Sequence, residues 1–296
     1  MALLPSLKQF HYLVALSEHL NFTRAAESCF VTQSTLSAGL KELEETLGAR
    51  LVERDRQTVL MTPIGLEVAR RARDILAETQ DLVELAGRST EPMSGQIRLG
   101  VIPTIAPFLL PPALTQLRAR YPDLRLALRE DQTARLLSRL EEGQLDFALI
   151  ALPYATDKLL VEPLFDDRLW LVARADDPEI KKKTVRMTPY LSEHLLLLEE
   201  GHCLRDHTLY ACSGKPSPLA NLEATSLLTL IQMVESGLGI ALIPEMAINS
   251  SLMSSAALAV RPFTKPEPMR TIALVARRST PRLVEMEALA AIFRKA

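Results

Sequence analysis

Leu7, Phe10, Leu13, Val14 and Leu16 recur at helical spacing and predict an amphipathic helix over residues 6–18. Asn21-Phe22-Thr23 breaks it. Thr23 is the expected N-cap of a short helix whose compact face is Ala25, Ala26 and Cys29, with Cys29 as a packed core thiol. Phe30-Val31-Thr32 makes a turn. Leu36, Leu40, Leu43 and Leu47 then stripe a third helix, begun at Thr32 or Gln33 and ended by Gly48. Residues 51–62 read as two short strands around a charged turn, a wing. Thr62-Pro63 opens a long helix, Thr as cap and Pro at the first helical position. Its four-three row runs through Ile64, Val68, Arg71, Ile75, Glu78, Leu82 and Leu85. One apolar seam on so long a helix needs a partner, and a second copy of the chain would supply it. Gly87 to Ser94, with Pro92, reads as a hinge.

Beyond the hinge the pattern changes to short apolar strands alternating with helices. Strands are expected at 96–102, 125–129 and 147–150. Between them lie a helix from Pro111-Pro112 to about Arg120 and a helix over 134–142 opened by Thr133. That order is βαβαβ, a parallel sheet covered by helices, with the strand ends at Thr104 and Thr133 on one ligand-binding rim. A strand over 163–173 crosses to a second lobe. Residues 176–193 are polar and irregular. A short buried strand at 195–198 delivers Glu199, Glu200 and the His202-Cys203 segment. Thr225-Ser226 caps a helix over 227–236, the strand 240–244 follows, and the return strand 271–276 leads to a closing helix.

The expected fold is α/β. A winged helix-turn-helix over 1–62 is followed by a linker dimerisation helix over 63–88 and a hinge over 89–94. A two-lobed regulatory domain of the periplasmic-binding-protein type spans 95–296. Lobe I takes 95–164 and 268–296, and lobe II takes 165–267.

Charge does not announce a nucleic-acid partner. The net charge is −2, and residues 1–60 hold six Lys and Arg against seven Asp and Glu. Any DNA binding must therefore come from local placement of cations and polar groups, and a small helical domain with a serine-rich solvated face stays open as the other reading. The polar first turn of the third helix carries Gln33, Ser34, Thr35 and Ser37, with Lys41 one turn on. Arg54 and Arg56 sit in the wing, in reach of phosphate beside the groove.

The candidate chemistry lies in Glu200-Gly201-His202-Cys203-Leu204-Arg205-Asp206-His207, followed by Cys212. Two of the chain's three cysteines are here, nine positions apart. His202 and Arg205 beside Cys203 can favour a thiolate, the reactive form of a thiol. Three cysteines make no disulfide scaffold. With no leader segment and no long apolar run, the expected compartment is the cytoplasm, and no membrane partner is expected. His202, Cys203, His207 and Cys212 number enough donors for zinc, but the adjacent pair would strain to share one ion. No metal or cofactor is expected.

Residues 6–65 resemble the DNA-binding head of LysR-type transcription regulators. The resemblance runs through Phe22-Thr23-Arg24-Ala25-Ala26, Gln33-Ser34-Thr35-Leu36-Ser37, Leu43-Glu44, Gly48, Leu51, Arg54, Thr62 and Gly65. Ser34 departs from it, standing where proline is common. The resemblance covers essentially the whole chain. Gly201-His202-Cys203-Leu204-Arg205-Asp206 with Cys212, Ala224-Thr225-Ser226-Leu227, and Lys265-Pro266-Glu267-Pro268 with Arg270-Thr271 look like the peroxide-sensing members of that family. The resemblance implies that Cys203 reacts with hydrogen peroxide and that Cys212 condenses with it. It also implies that Thr104, Thr133, His202, Arg205, Asp206 and Arg270 surround the site. The implied partners are promoter DNA, a second copy of the chain in a dimer or tetramer, RNA polymerase, and a thiol reductant such as glutaredoxin or thioredoxin. The implied protein is a regulator, not an enzyme. Two other readings stay open: a regulator sensing an organic ligand in the interlobe cleft, and a thiol peroxidase.

Overall fold

The computed structural model describes residues 4–54, 59–87, 92–211 and 222–296. They fold as two compact units that part near residues 88 and 89. No described helix is long and apolar enough to cross a membrane.

In the first unit, helix α1 (Leu7–His19) opens with a capping box. Gln9 N–H donates to Ser6 Oγ at 3.3 Å, and Ser6 N–H donates to Gln9 Oε1 at 2.8 Å. Helix α2 (Phe22–Ser28) is capped by Asn21, not by Thr23. Asn21 Oδ1 accepts the amides of Thr23 and Arg24, each at 3.0 Å. Thr23 already lies inside the first turn, where its N–H needs an acceptor. Helix α3 (Gln33–Leu47) starts at the Thr32 cap and ends at Gly48 in the left-handed conformation, φ 65°. Leu36, Leu40 and Leu43 pack among Leu13, Leu16, Ala25 and Ala26. Leu47 lies on the surface, so the buried stripe is a turn shorter than its pattern. Cys29 ends α2 half-buried, at the margin of this core.

Strands β1 (Val52–Arg54) and β2 (Val59–Met61) pair antiparallel as the wing. Arg56 lies outside the described residues, as does the Arg54 side chain. Glu44 Oε1 accepts the amides of Leu51 at 2.7 Å and Val52 at 3.1 Å, fixing the wing to α3. Helix α4 (Pro63–Gly87) follows. Thr62 Oγ1 accepts the Gly65 amide at 2.9 Å and donates to Arg50 O at 2.8 Å. A Cβ on Gly65 would stand 2.0 Å from Leu51 O, so only glycine fits where the helix leaves the wing. The side of α4 turned to the head is an alanine row, with Ala69 and Ala72 buried, and Arg73 Nη2 donates to Ser17 Oγ at 2.7 Å. The expected seam lies mostly on a different face, with Val68 alone of its members packed against the head core among the described residues. Ile64, Ile75 and Leu82 are exposed, Val68 is half-buried, and the Leu85 side chain is outside the described residues.

The second unit begins β3 (Gly95–Val101), α5 (Ala106–Arg120), β4 (Leu124–Glu130), α6 (Thr133–Glu141) and β5 (Phe147–Leu152). β3 lies between β4 and β5 and runs parallel to both, as the βαβαβ pattern requires. α5 starts five residues before Pro111, so both prolines lie inside it. A proline pair usually marks a helix start. Here Ile105, Ala106 and Leu109 are buried in the core and hold an earlier turn in place.

The long strand β6 (Leu159–Arg174) carries the chain into a second hydrophobic core. After it come two short helices, 178–181 and α7 (Pro189–Glu193), in the stretch expected to be irregular. Then follow β7 (Leu197–Leu198), α8 (Cys203–Ala211), β8 (Glu223–Ala224), α9 (Leu227–Glu235), β9 (Ala241–Pro244), β10 (Leu258–Pro262), β11 (Met269–Arg277) and α10 (Leu283–Phe293). One sheet runs β10-β6-β11-β5-β3-β4, with β9 also paired to β6. β11 pairs with the first part of β6, from Arg277↔Leu159 to Met269↔Arg168. The rest of β6 pairs with β9 and β10, so the sheet continues from one core to the other.

Candidate functional site

β7 and the turn after it bring Cys203 to the first position of α8. Gly201 has φ 93°, and a Cβ there would stand 2.6 Å from Gln132 Oε1. Gln132 Nε2 in turn donates to Glu200 O at 3.3 Å. The turn before the cysteine therefore rests on the residue before Thr133, and a glycine is what lets it. That 203–211 is helical was not legible from its pattern.

Cys203 is 5% exposed. Beside it stands a buried arginine system. Arg270, on β11, lies across the ladder from Asp167 on β6, and its Nε donates to Asp167 Oδ2 at 3.0 Å. Nη1 donates to Thr104 Oγ1 at 2.8 Å, and Nη2 to Thr104 O at 3.0 Å. Asp167 Oδ1 accepts the Met246 amide at 3.3 Å. Arg270, Asp167 and Thr104 are all almost wholly buried, so an ion pair with its remaining hydrogen bonds satisfied fixes one cation near the sulfur. Burial pushes the Cys203 thiol above its ordinary pKa. Arg270 opposes that most, then contact with the Thr133 hydroxyl and the Leu204 amide at the start of α8, while Asp206 adds to the rise. Thr133 Oγ1 is buried and has no hydrogen-bond partner of full geometry among the described residues. It is a polar atom available to whatever reaches the sulfur.

The cation that acts on the sulfur is thus Arg270, and Arg205 looks elsewhere. Two residues on in an α-helix is about 200° round the axis, nearly the opposite face. Arg205 Nη1 donates to Glu223 Oε1 at 2.6 Å and to Leu198 O at 2.7 Å. His202 is buried, with Nε2 3.7 Å from Glu199 Oε1. Asp206 is exposed and works against the thiolate. His207, one turn from Cys203, is buried. Burial and then Arg270 hold its pKa down to about 4. Cys212 lies outside the described residues. Among the described residues no group of three or more His, Cys, Asp and Glu side chains is placed to hold a metal ion. Asp167, Gln132 and Glu223 carried no signal in the sequence: each acts through a partner between 18 and 103 positions away.

In the head, Gln33, Ser34 and Thr35 are exposed on the first turn of α3, Ser37 is half-buried, and Lys41 is exposed beside Glu45 at 3.6 Å. The Ser34 and Thr35 hydroxyls converge on Thr32 Oγ1, at 2.9 and 2.8 Å.

A winged helix-turn-helix, a long helix and a two-lobed α/β unit with a buried site are the build of a DNA-binding transcription regulator. Residues 7–66 match the bacterial regulatory helix-turn-helix protein family of LysR type, and residues 90–296 match the LysR substrate binding domain. The chain belongs to the LysR family. It is similar to the HTH-type transcriptional regulator EstR of Acinetobacter baylyi, 46% identical over 100% of this chain and 98% of that protein. It is also similar to the DNA-binding transcriptional dual regulator OxyR of Escherichia coli, 39% identical over 98% of this chain and 95% of that protein. Among solved structures it resembles a full-length OxyR variant from Pseudomonas aeruginosa, with TM-score 0.74, 36% identity, and 98% of each chain covered. It further resembles a hydrogen-peroxide-bound OxyR mutant from Corynebacterium glutamicum, with TM-score 0.65, 32% identity, and 99% and 94% covered.

Proposed function

We propose that this protein is a cytoplasmic, hydrogen-peroxide-sensing transcription regulator switched by a reversible disulfide between Cys203 and Cys212. The observation that carries this reading is the buried thiol beside a fixed arginine, with a second cysteine nine positions on. The Cys203 thiolate attacks one peroxide oxygen, the O–O bond breaks, and hydroxide leaves as water after taking a proton. Arg270 and Thr133 favour the charged sulfur and the departing oxygen. The resulting sulfenic acid condenses with the Cys212 thiol, releasing a second water and forming the S–S bond. A dithiol reductant, of the glutaredoxin or thioredoxin kind, returns two electrons and resets it.

The disulfide cannot form on an intact α8. Ala211 is eight residues along the helix from Cys203, about 12 Å at 1.5 Å per residue. One more residue, about 3.8 Å long, leaves the Cys203 and Cys212 Cα atoms about 8 Å apart at their closest. A disulfide spans at most about 7 Å. Oxidation therefore requires α8 to unwind, a change of shape rather than a local bond. Through the lobes that change would alter how subunits, paired along Ile64, Val68, Ile75, Leu82 and Leu85 in a dimer or tetramer, hold their heads. Gln33, Ser34, Thr35, Ser37, Lys41, Arg54 and Arg56 would contact promoter DNA, and RNA polymerase would read the result.

The test treats wild type and Cys212→Ser with peroxide. Mass spectrometry should find a Cys203–Cys212 bond in the first and a Cys203 sulfenic acid in the second, and only wild type should shift its promoter footprint. Equal shifts in both would remove the disulfide from the mechanism. Sustained peroxide consumption with a reductant would favour a peroxidase instead. The similarity to EstR, whose name mentions no peroxide, keeps one other reading alive, a regulator of the same family answering an organic ligand. An unchanged thiol count after peroxide would favour that one.

A further inference from the structure

Gln132 holds the cap position of α6. The Leu136 amide donates to its carbonyl at 3.0 Å, and the helix begins with the next residue. Capping side chains are short, because they fold back onto their own first turn. Glutamine is longer, and this one leaves its helix for the turn before Cys203. Nε2 donates to Glu200 O at 3.3 Å, 68 positions along the chain. The amide also lies against Gly201: a Cβ on that glycine would stand 2.6 Å from Oε1, 2.8 Å from Cδ and 2.9 Å from Nε2. A hydrogen bond and a close face contact thus hold the same turn from one side chain.

The two ends of this contact belong to different cores. α6 continues into Leu136, Leu137 and Leu140, in the core that holds Cys203, whereas β7, which the turn leaves, buries Leu197 and Leu198 in the other. The segment before Gln132 is itself anchored. The Asp131 amide donates to Val101 O at the end of β3, at 3.3 Å, and Asp131 Oδ1 accepts the Gln132 amide at 3.0 Å. Gln132 therefore ties the end of β3 to the turn that delivers the cysteine. One residue beyond Gln132 is Thr133, and two beyond Gly201 is Cys203, both almost wholly buried. Each step along the chain is about 3.8 Å, so a tie this close to both leaves them little freedom to part while it holds.

We propose that Gln132 is a positioning residue, which sets the Thr133 hydroxyl and the Cys203 sulfur at the spacing that peroxide cleavage needs. It acts through the turn at 200–201 and not on the reacting atoms. A displacement of about 1 Å at a reacting centre is enough to cost a large part of the rate, so a tie outside the site governs what happens within it. The part in peroxide cleavage rests on the function proposed above, and the setting of the spacing does not.

Alkylation by iodoacetamide against pH, read at the Cys203 peptide by mass spectrometry, tests the spacing without peroxide. The protein is the reduced, full-length Cys212→Ser variant. The Thr133 contact favours the thiolate, so loosening it should raise the midpoint of the curve. Gln132→Ala should move the midpoint up, as Thr133→Val does, and should add nothing in the Thr133→Val background, because a lost position is not lost twice. Gln132→Met, which keeps bulk against Gly201 and lacks the donor, should fall between. General loosening of the fold would instead admit water and lower the midpoint. A midpoint that stays or falls in Gln132→Ala, or an equal rise in both backgrounds, overturns the positioning role. A second arm measures sulfenic acid formation at Cys203 with hydrogen peroxide. Gln132→Ala should be about tenfold slower, again with no further loss beyond Thr133→Val. An unchanged peroxide rate with a raised midpoint overturns the part in peroxide cleavage and leaves the spacing standing. A parent protein whose Cys203 peroxide leaves untouched overturns the sensing function and that part with it, and the first arm still decides the spacing.

Discussion

Cys203 and Leu204 are neighbours in the chain and pack into different hydrophobic cores. The sulfur belongs to the core built on β3, β5 and β11, and the leucine to the one behind β6 and β9. The first turn of α8 is therefore held by two lobes at once. A change at the sulfur that lifts this turn must withdraw one side chain from each core. Leu204 alone is worth about 1.5–3 kcal/mol of burial. That is enough to keep the helix shut and little enough for a covalent bond to overcome.

Ionisation of the sulfur should be steeply dependent on pH. Burial raises the folded-state pKa of Cys203 above its ordinary 9.0. The protonated thiol is thus the native form at neutral pH, and its contribution to stability is lost as pH rises through the folded pKa. Alkylation of Cys203 in the reduced Cys212→Ser protein should climb beyond the pH at which a free thiol levels off. Thr133→Val removes one of the groups that favour the thiolate and should lower the rate several-fold below that pH. An unchanged pH–rate curve in Thr133→Val would deny the hydroxyl its place beside the sulfur.

Arg205→Ala should speed disulfide formation and leave the thiol's titration where it was. Its guanidinium ties α8 to β7 and β8 through Leu198 O and Glu223. Arg205 is half-buried but Glu223 is exposed, so about 1 kcal/mol of helix retention is at stake, a factor of about 5 in the unwound population. Glu223→Gln should act in the same direction and more weakly. Stopped-flow fluorescence or quenched alkylation during peroxide treatment gives the rates. A slower reaction in Arg205→Ala would put the arginine back at the sulfur.

The position of Arg205 shows where reading the chain stops. Two residues from a cysteine looks close in a sequence, and on a helix it is nearly opposite. Residues 203–211 hide that helix, because Leu204 and Leu209 are too few to make a periodic stripe among so many polar groups. Arg270 and Asp167 face each other only because β6 and β11 pair in one register across 103 positions, and register is a tertiary property. By contrast Leu36, Leu40 and Leu43, the Thr62-Pro63 start and the βαβαβ order were legible. Each is a local pattern that the buried face of its own element imposes.

Acid should weaken the second unit through His207. Its folded pKa, about 4, lies below the ordinary 6.5. The unfolded chain therefore binds the proton more readily, and the stability held above pH 6.5 drains away as pH falls toward 4. The loss should reach about 2 kcal/mol by pH 5, an order-of-magnitude figure from the size of the shift. Urea titrations at pH 7 and pH 5 measure it. His207→Gln should shrink the difference between the two, and an equal difference in the variant would place the acid sensitivity elsewhere.

Along α4, Ile75→Glu should convert the protein to a monomer. Ile75 is exposed in the single chain while Ala69 and Ala72 occupy the side turned to the head. A charge there costs little in the monomer and several kcal/mol if desolvated against an apolar partner. Light scattering after gel filtration gives the mass directly. An oligomer of unchanged mass would move the subunit contact off this face.

The junction at Thr62 has a mechanical meaning. One hydroxyl caps α4 and grips the strand before it, and Gly65 lies so close to Leu51 that no side chain fits between. A joint of that kind has no slack. The 25 residues of α4 then form a lever about 37 Å long, fixed at one end to the part that meets DNA. Such a lever trades angle for distance: a slight tilt between two of them becomes a displacement of the reading heads. In the switch proposed above, the gap between half-sites, and not the grip on either one, is what such a lever would adjust.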